Sequence, residues 1–162
     1  MSEFVRRALS ASAICGIYNH YILNTSVTFE EETVTAEDMA ARIEKVQSGL
    51  PWLVAEREGS VIGYAYASRW QSRCAYRYSV ETTVYVDQHA ARLGFGSQLY
   101  GRLIADLKKL SLHSLIGGIA LPNAASVALH EKFGFRKVAH FEQVGRKVDQ
   151  WIDVGYWELI LS

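Results

Sequence analysis

Apolar residues at Ile14, Ile17, Tyr18, Tyr21 and Ile22 recur at helical spacing, with Ser10 placed to cap the helix they imply. Asn24 to Glu32 is polar and β-branched, carries no such stripe, and predicts a loop around Thr28 and Phe29. A second stripe, Met39, Ile43 and Val46, follows Thr35-Ala-Glu-Asp38, a capping box with Asp in place of Glu. Ser48-Gly-Leu-Pro51 ends that helix. Trp52 to Glu56 and Val61 to Ser68 predict two strands joined by the hairpin signal Arg57-Glu-Gly-Ser60. Tyr78 to Val86 predicts a long strand, and Leu99, Tyr100, Leu103, Ile104 and Leu107 stripe the helix after it. Leu115 to Leu121 is an apolar strand, and Ala124 to Phe133 is a short helix closed by Gly134. A first strand at Phe4 to Ala8 and two last ones at Phe135 to Val144 and Trp151 to Leu161 complete the order β-α-α-β-β-β-α-β-α-β-β. That order predicts an α/β fold of the α+β kind, a mixed parallel and antiparallel sheet with helices on both faces.

Composition narrows the partners. The chain has 162 residues, enough for one domain with its own core and no repeat or linker to divide it. Seventeen basic and seventeen acidic residues cancel, so no global field favours nucleic acid or an anionic membrane, and an anionic ligand must be held locally. Cys15 and Cys74 lack CxxC spacing, and the histidines at 20, 89, 113, 130 and 140 form no ligand cluster with them, so no metal is expected. Free thiols in a reducing cytoplasm are the expectation. Met-Ser-Glu-Phe-Val-Arg-Arg at the N-terminus has no long apolar run, so no signal peptide is expected. No segment approaches the roughly 20 apolar residues of a spanning helix.

The chemistry concentrates in Val84 to Tyr100, where a strand passes through a loop with Gly94 and Gly96 into an amphipathic helix. Glycines let a backbone approach a ligand closely, and a new helix offers unpaired N–H groups and a positive dipole end, a setting for pyrophosphate. A P-loop needs GxxxxGK[ST], which is absent; a dinucleotide fingerprint needs a third glycine where Leu99 stands. The remaining common meaning is the acyl-CoA loop of the GNAT superfamily of N-acetyltransferases, [QR]xxGx[GA], which Gly94 and Gly96 resemble. Ala91 stands where that motif has Gln or Arg, with Arg92 beside it to supply charge. Asn123-Ala-Ala-Ser-Val-Ala-Leu-His-Glu-Lys-Phe-Gly-Phe135 resembles the second GNAT signature, with His130 at the usual tyrosine.

Nearly the whole chain resembles one branch, the phosphinothricin and methionine-sulfoximine acetyltransferases. The stretches that carry this include Ile17-Tyr-Asn-His20, Thr28-Phe29-Glu30, Pro51-Trp-Leu-Val-Ala-Glu56, Gly63-Tyr-Ala-Tyr-Ala67, Leu121-Pro-Asn123 and Asp153-Val-Gly155. The branch departs from this chain at 147–153, where it has a Lys-His-Gly run and a second histidine; here stand Lys147-Val-Asp149 and Ile152. The resemblance implies a single GNAT domain over 1–162, about seven strands flanked by about four helices, acetyl-CoA as co-substrate, and a homodimer.

Roles follow from residue chemistry and from that resemblance. An ammonium has no lone pair with which to attack a thioester, and a carboxylate in a partly dry site can take its proton, directly or through water. Glu81, mid-strand among Val80, Thr82, Val84 and Val86, is either on an exposed face, in a buried ion pair or that base; the resemblance implies the base. His130 is either a packed helix histidine or an acid for the leaving thiolate, and the resemblance places it against the CoA thiol. Val84, Tyr85, Val86, Arg92, Leu93, Gly94, Phe95, Gly96, Ser97, Asn123, Ser126 and Lys132 are the implied cofactor contacts. Arg73, Ala75, Tyr76 and Arg77, with Phe29, are the implied acceptor contacts, since guanidinium pairs bidentately with carboxylate or phosphinate. The expected reaction is direct acetyl transfer to the α-amine of a small amino-acid-like acceptor. The rivals are a GNAT-fold acyl-CoA sensor without turnover and a GNAT enzyme for protein N-termini or aminoglycosides.

Overall fold

The structure is a computed structural model that describes the backbone of residues 4–7 and the whole of residues 10–162. Ala8, expected to end the first strand, lies outside the described residues. The chain forms two compact units. One comprises the chain up to Asn19, Val34–Ser68 and Thr82–Ser111; the other comprises His20–Thr33, Arg69–Glu81 and Leu112–Ser162.

In the first unit, β1 (Phe4–Arg7) pairs antiparallel with β2 (Trp52–Arg57), and β2 with β3 (Ser60–Arg69). The turn between β2 and β3 is Glu58-Gly59, both at positive φ, the backbone a two-residue hairpin requires. Thr35 caps α2 (Ala36–Gln47) by accepting from the Asp38 N–H at 3.1 Å, as the capping pattern predicts. Its striped residues Met39 and Ile43 are buried, as are Ile14, Ile17 and Tyr18 of α1 (Ala11–Asn24). α3 (Phe95–Leu107) packs on β1 and β2 and buries every residue of its predicted stripe. The buried Tyr100 hydroxyl, on α3, shares a 2.7 Å hydrogen bond with Thr82 of β4 (Ser79–Val86), tying the helix to the strand that leads into it.

In the second unit the first three residues of β4 pair parallel with β5 (Ser114–Leu121), in the register Ser79↔Ser114 to Glu81↔Ile116. β5 pairs antiparallel with β7 (Gln150–Ile160), and β7 with β6 (Arg136–Lys147). α4 (Ala124–Lys132) packs on β5. Within this unit the strand order is β4-β5-β7-β6, which leaves β6 at an edge.

One expectation is corrected here. Strand β6 runs to Lys147 rather than ending at Val144, and turns into β7 through Val148 and Asp149, both at positive φ. Valine is a poor residue for a left-handed turn, so no hairpin signal is legible there. The alternation is also broken by a bulge between Phe141 and Gly145, where Gln143 sits at positive φ and donates its N–H to Asp153 at 2.8 Å.

Candidate functional site

The glycine loop belongs to the first unit. Past β4, Asp87 caps a single 3-10 turn, Gln88–Ala90, by accepting from the His89 N–H at 2.8 Å. Arg92 then takes φ +65°, and Gly94, at φ +87°, is the residue before α3 and supplies no side-chain cap. Arg92, Leu93 and Gly94 are exposed, while Phe95 is buried and anchors the start of the helix. A Cβ on Gly94 would meet nothing within 4 Å. Glycine is required here by conformation and not by crowding. Gly96 and Ser97 follow in the first turn, whose N–H groups and dipole suit an anion. Val84, Tyr85 and Val86 are half-buried, and the Tyr85 ring packs 5.5 Å from both Tyr18 and Tyr64, so that side chain is structural.

The second unit holds Glu81 at the end of the β4–β5 pairing. Beside it β5 carries Gly117 and Gly118, whose side-chain directions point to opposite faces. A Cβ on Gly118 would stand 3.1 Å from the Tyr156 ring and 3.4 Å from Glu81 Oε1. A Cβ on Gly117 would overlap the His130 imidazole. Glu81 and His130 therefore flank opposite faces of β5, and the two expected proton-transfer groups are not brought onto one face.

Burial holds the half-buried Glu81 carboxyl above its ordinary range, and among the described residues no hydrogen bond or ion pair compensates it. Burial first, and the nearby Glu81 charge second, raise the Tyr156 phenol. Tyr156 is held edge-to-face by Trp70 at 5.5 Å and Phe141 at 5.8 Å.

His130 is 4% exposed, and its Nδ1 lies 2.7 Å from the Ser126 carbonyl oxygen. A carbonyl only accepts, so Nδ1 carries the proton; burial pushes the ring's pKa down, and the neutral ring then has a lone pair, not a proton, at Nε2. Asn123 caps α4 by accepting from the Ser126 N–H at 3.1 Å, and the Lys132 ammonium lies over the Phe133 ring. Arg73, Ala75, Tyr76 and Arg77 are all exposed around a 3-10 turn, Cys74–Tyr76. Arg77 donates to the Cys74 carbonyl at 3.1 Å and stacks 4.4 Å from the Tyr78 ring centroid.

Four residues of this unit were not singled out from sequence. Lys147 is 5% exposed and donates to the Thr28 carbonyl at 2.8 Å; burial pushes its pKa down and Glu31 draws it back up. A Cβ on Gly145 would overlap the ring of Phe29, so strand β6 seats both Thr28 and Phe29. Gly118 and Tyr156 are the other two. The glycine pair inside an apolar strand was a usable signal, since glycine there marks a close approach.

A family model described as an acetyltransferase (GNAT) domain matches residues 10–155. The chain belongs to the GNAT acetyltransferase family. Among GNAT relatives, it is 42% identical over 151 residues to the phosphinothricin N-acetyltransferase of Streptomyces viridochromogenes, covering 93% of this chain and 82% of that protein. It is 38% identical over 152 residues to the L-methionine sulfoximine/L-methionine sulfone acetyltransferase of Salmonella typhimurium, covering 93% of this chain and 89% of that protein. A crystal structure of a GNAT superfamily phosphinothricin acetyltransferase from Sinorhizobium meliloti, in complex with AcCoA, superposes with a TM-score of 0.95 at 33% identity. That match covers 100% of this chain and 90% of the other.

Proposed function

We propose that this GNAT chain transfers the acetyl group of acetyl-CoA to the α-amine of a compact amino-acid-like acceptor, of the phosphinothricin, methionine sulfoximine or methionine sulfone type. The observation that carries this reading is Glu81. Its carboxylate is half-buried, has no hydrogen-bond or ion-pair partner among the described residues, and has a pKa raised by burial. A structural carboxylate in that position would be paired. An unpaired one with raised basicity is suited to take a proton from an ammonium, directly or through water.

Acetyl-CoA supplies the activated acetyl group as a thioester. The exposed loop at Arg92, Leu93 and Gly94, with the first-turn amides at Phe95, Gly96 and Ser97, binds its pyrophosphate. The left-handed Gly94 and the missing side-chain cap support this. Backbone groups of Val84 to Val86 hold the pantetheine arm; Asn123, Ser126 and Lys132 are cofactor contacts by resemblance to the family. Arg73 and Arg77 bind the acceptor's carboxylate and its tetrahedral oxygens, and Phe29, Ala75 and Tyr76 bound its apolar part. The names of the relatives support that acceptor class. His130 packs and positions α4 through the bond between its Nδ1 and the Ser126 carbonyl.

The protein acts in the cytoplasm as one catalytic domain and as a twofold homodimer, with no nucleic-acid or membrane partner. Exposed Phe141, Val144 and Trp151 on the edge strand and its neighbour support the dimer. The test is CoA release from acetyl-CoA with methionine sulfone, methionine sulfoximine, phosphinothricin and the standard amino acids. Saturable release with the first three is expected. Release with none of them, or faster release with spermidine or an aminoglycoside, overturns the acceptor.

A further inference from the structure

Gly118 stands mid-strand in β5, exposed, and outside the left-handed region of φ. No turn and no unusual backbone conformation asks for glycine there, and a side chain would favour the strand. What glycine provides is space, bounded by the Tyr156 ring at 3.1 Å and by Glu81 Oε1 at 3.4 Å. The ring is not free to swing, because Trp70 and Phe141 hold it edge-to-face. An amine within hydrogen-bonding distance of Glu81 sits one bond from its own α-carbon. The acceptor's next carbons are then within reach of the bare Cα of Gly118 and of the Tyr156 ring.

We propose that Gly118 and Tyr156 form the seat for the acceptor's side chain, with Gly118 as its floor and the Tyr156 ring as its wall. This rests on reading Glu81 as the base that receives the amine. The ring, not the hydroxyl, makes the wall, and it packs on methylene and sulfur-bearing side chains.

The test is calorimetric titration of methionine sulfone into the CoA-loaded protein, alongside initial rates of acetyl transfer, for wild type, Gly118→Ala, Tyr156→Phe and Tyr156→Ala. One methyl group placed in a specificity pocket changes discrimination by about ten- to two-hundredfold, and Gly118→Ala should weaken methionine sulfone binding and raise its KM within that range. Acetyl-CoA affinity should stay within about twofold, and the thermal midpoint should fall only slightly, since the new methyl meets the Tyr156 ring at 3.1 Å while alanine itself suits a strand better than glycine. Tyr156→Ala should weaken acceptor binding similarly, and Tyr156→Phe should keep it within about threefold because the aromatic face remains. Unchanged acceptor binding in both Gly118→Ala and Tyr156→Ala overturns the seat while leaving the transferase reading intact. Binding that these variants abolish, in a wild type that transfers nothing, upholds the seat and overturns the transferase reading. No binding of methionine sulfone to wild type overturns both.

Discussion

The loop at Gly94 and the strand at Gly117 and Gly118 both depend on glycine, for unlike reasons. Gly94 has φ +87° and open space where a side chain would go. Neither Gly117 nor Gly118 has the left-handed backbone that asks for glycine; a side chain on Gly117 would overlap a histidine ring, and one on Gly118 would press on a tyrosine and a carboxylate. On the proposed reading, the first region works through backbone amides that a left-handed residue aims, and so would tolerate different side chains nearby, such as Ala91 where the family has Gln or Arg. The second works through side chains whose positions are set by what β5 lacks. Glycine in a loop therefore marks how the chain bends, whereas glycine in a central strand marks what must lie against it.

The largest effect expected is at Glu81. Glu81→Gln keeps the shape and removes the base, so turnover should fall about 10²- to 10⁴-fold, with CoA affinity by calorimetry nearly unchanged. A wild-type rate at neutral pH would mean that another group takes the proton. The loss should shrink at high pH as free amine becomes abundant. Stability should move the other way. Folding raises the Glu81 pKa above its ordinary 4.5, so the native state holds the proton more tightly and stability falls as pH rises through that window. The glutamine variant should accordingly melt higher than wild type at neutral pH, and the difference should vanish below pH 4.5.

Gly94→Val breaks the other half of the comparison. Losing charge-assisted backbone bonds of about 1.5–3 kcal/mol should weaken CoA binding roughly ten- to a hundredfold, while the acceptor KM changes little. Equal CoA affinity in the folded variant would remove the loop from the cofactor site. Forcing a side chain into the left-handed region should also lower stability by about 1–2 kcal/mol.

Gly117→Ala tests space against conformation directly. Its methyl group would drive into the buried His130 ring, an overpacking that should cost about 1–3 kcal/mol in chemical denaturation. If stability is unchanged, His130 is looser than its contacts imply. The smallest change expected is Lys147→Met, which keeps the apolar stem and loses the bond to the Thr28 carbonyl, for about 1 kcal/mol of stability. Its sharper readout is kinetic: the acceptor KM should rise, because Thr28 and Phe29 lose their anchor on β6, while CoA affinity holds.

Much of this was legible in the residues. Helices α1, α2 and α3 announced themselves by apolar stripes, and α2 by its cap as well, because 3.6-residue periodicity and the chemistry of Thr35 act within a few positions of one another. Glu81 stood out because an acid inside a β-branched run has no local reason to be there. The β6–β7 turn was not legible: Val148 takes a left-handed conformation that its own preferences oppose, and the flanking hairpin imposes it. Nothing local marks Lys147 as buried; β6 carries it to the Thr28 carbonyl, more than a hundred residues away in sequence.

The sequence alone determined the order of the elements, the glycine loop before α3 and the family, since each depends on neighbours in the chain or on words at fixed spacing. Only the tertiary structure decided which face of β5 each side chain meets. It set His130 and Glu81 on opposite faces, bound the His130 Nδ1 proton to the Ser126 carbonyl, and put Tyr156 beside Glu81 across a bare glycine. The physical reason is that strand register is fixed by pairing between distant segments. A slip of one residue exchanges every side chain between faces, and no local preference in β4, β5 or β7 records which register holds.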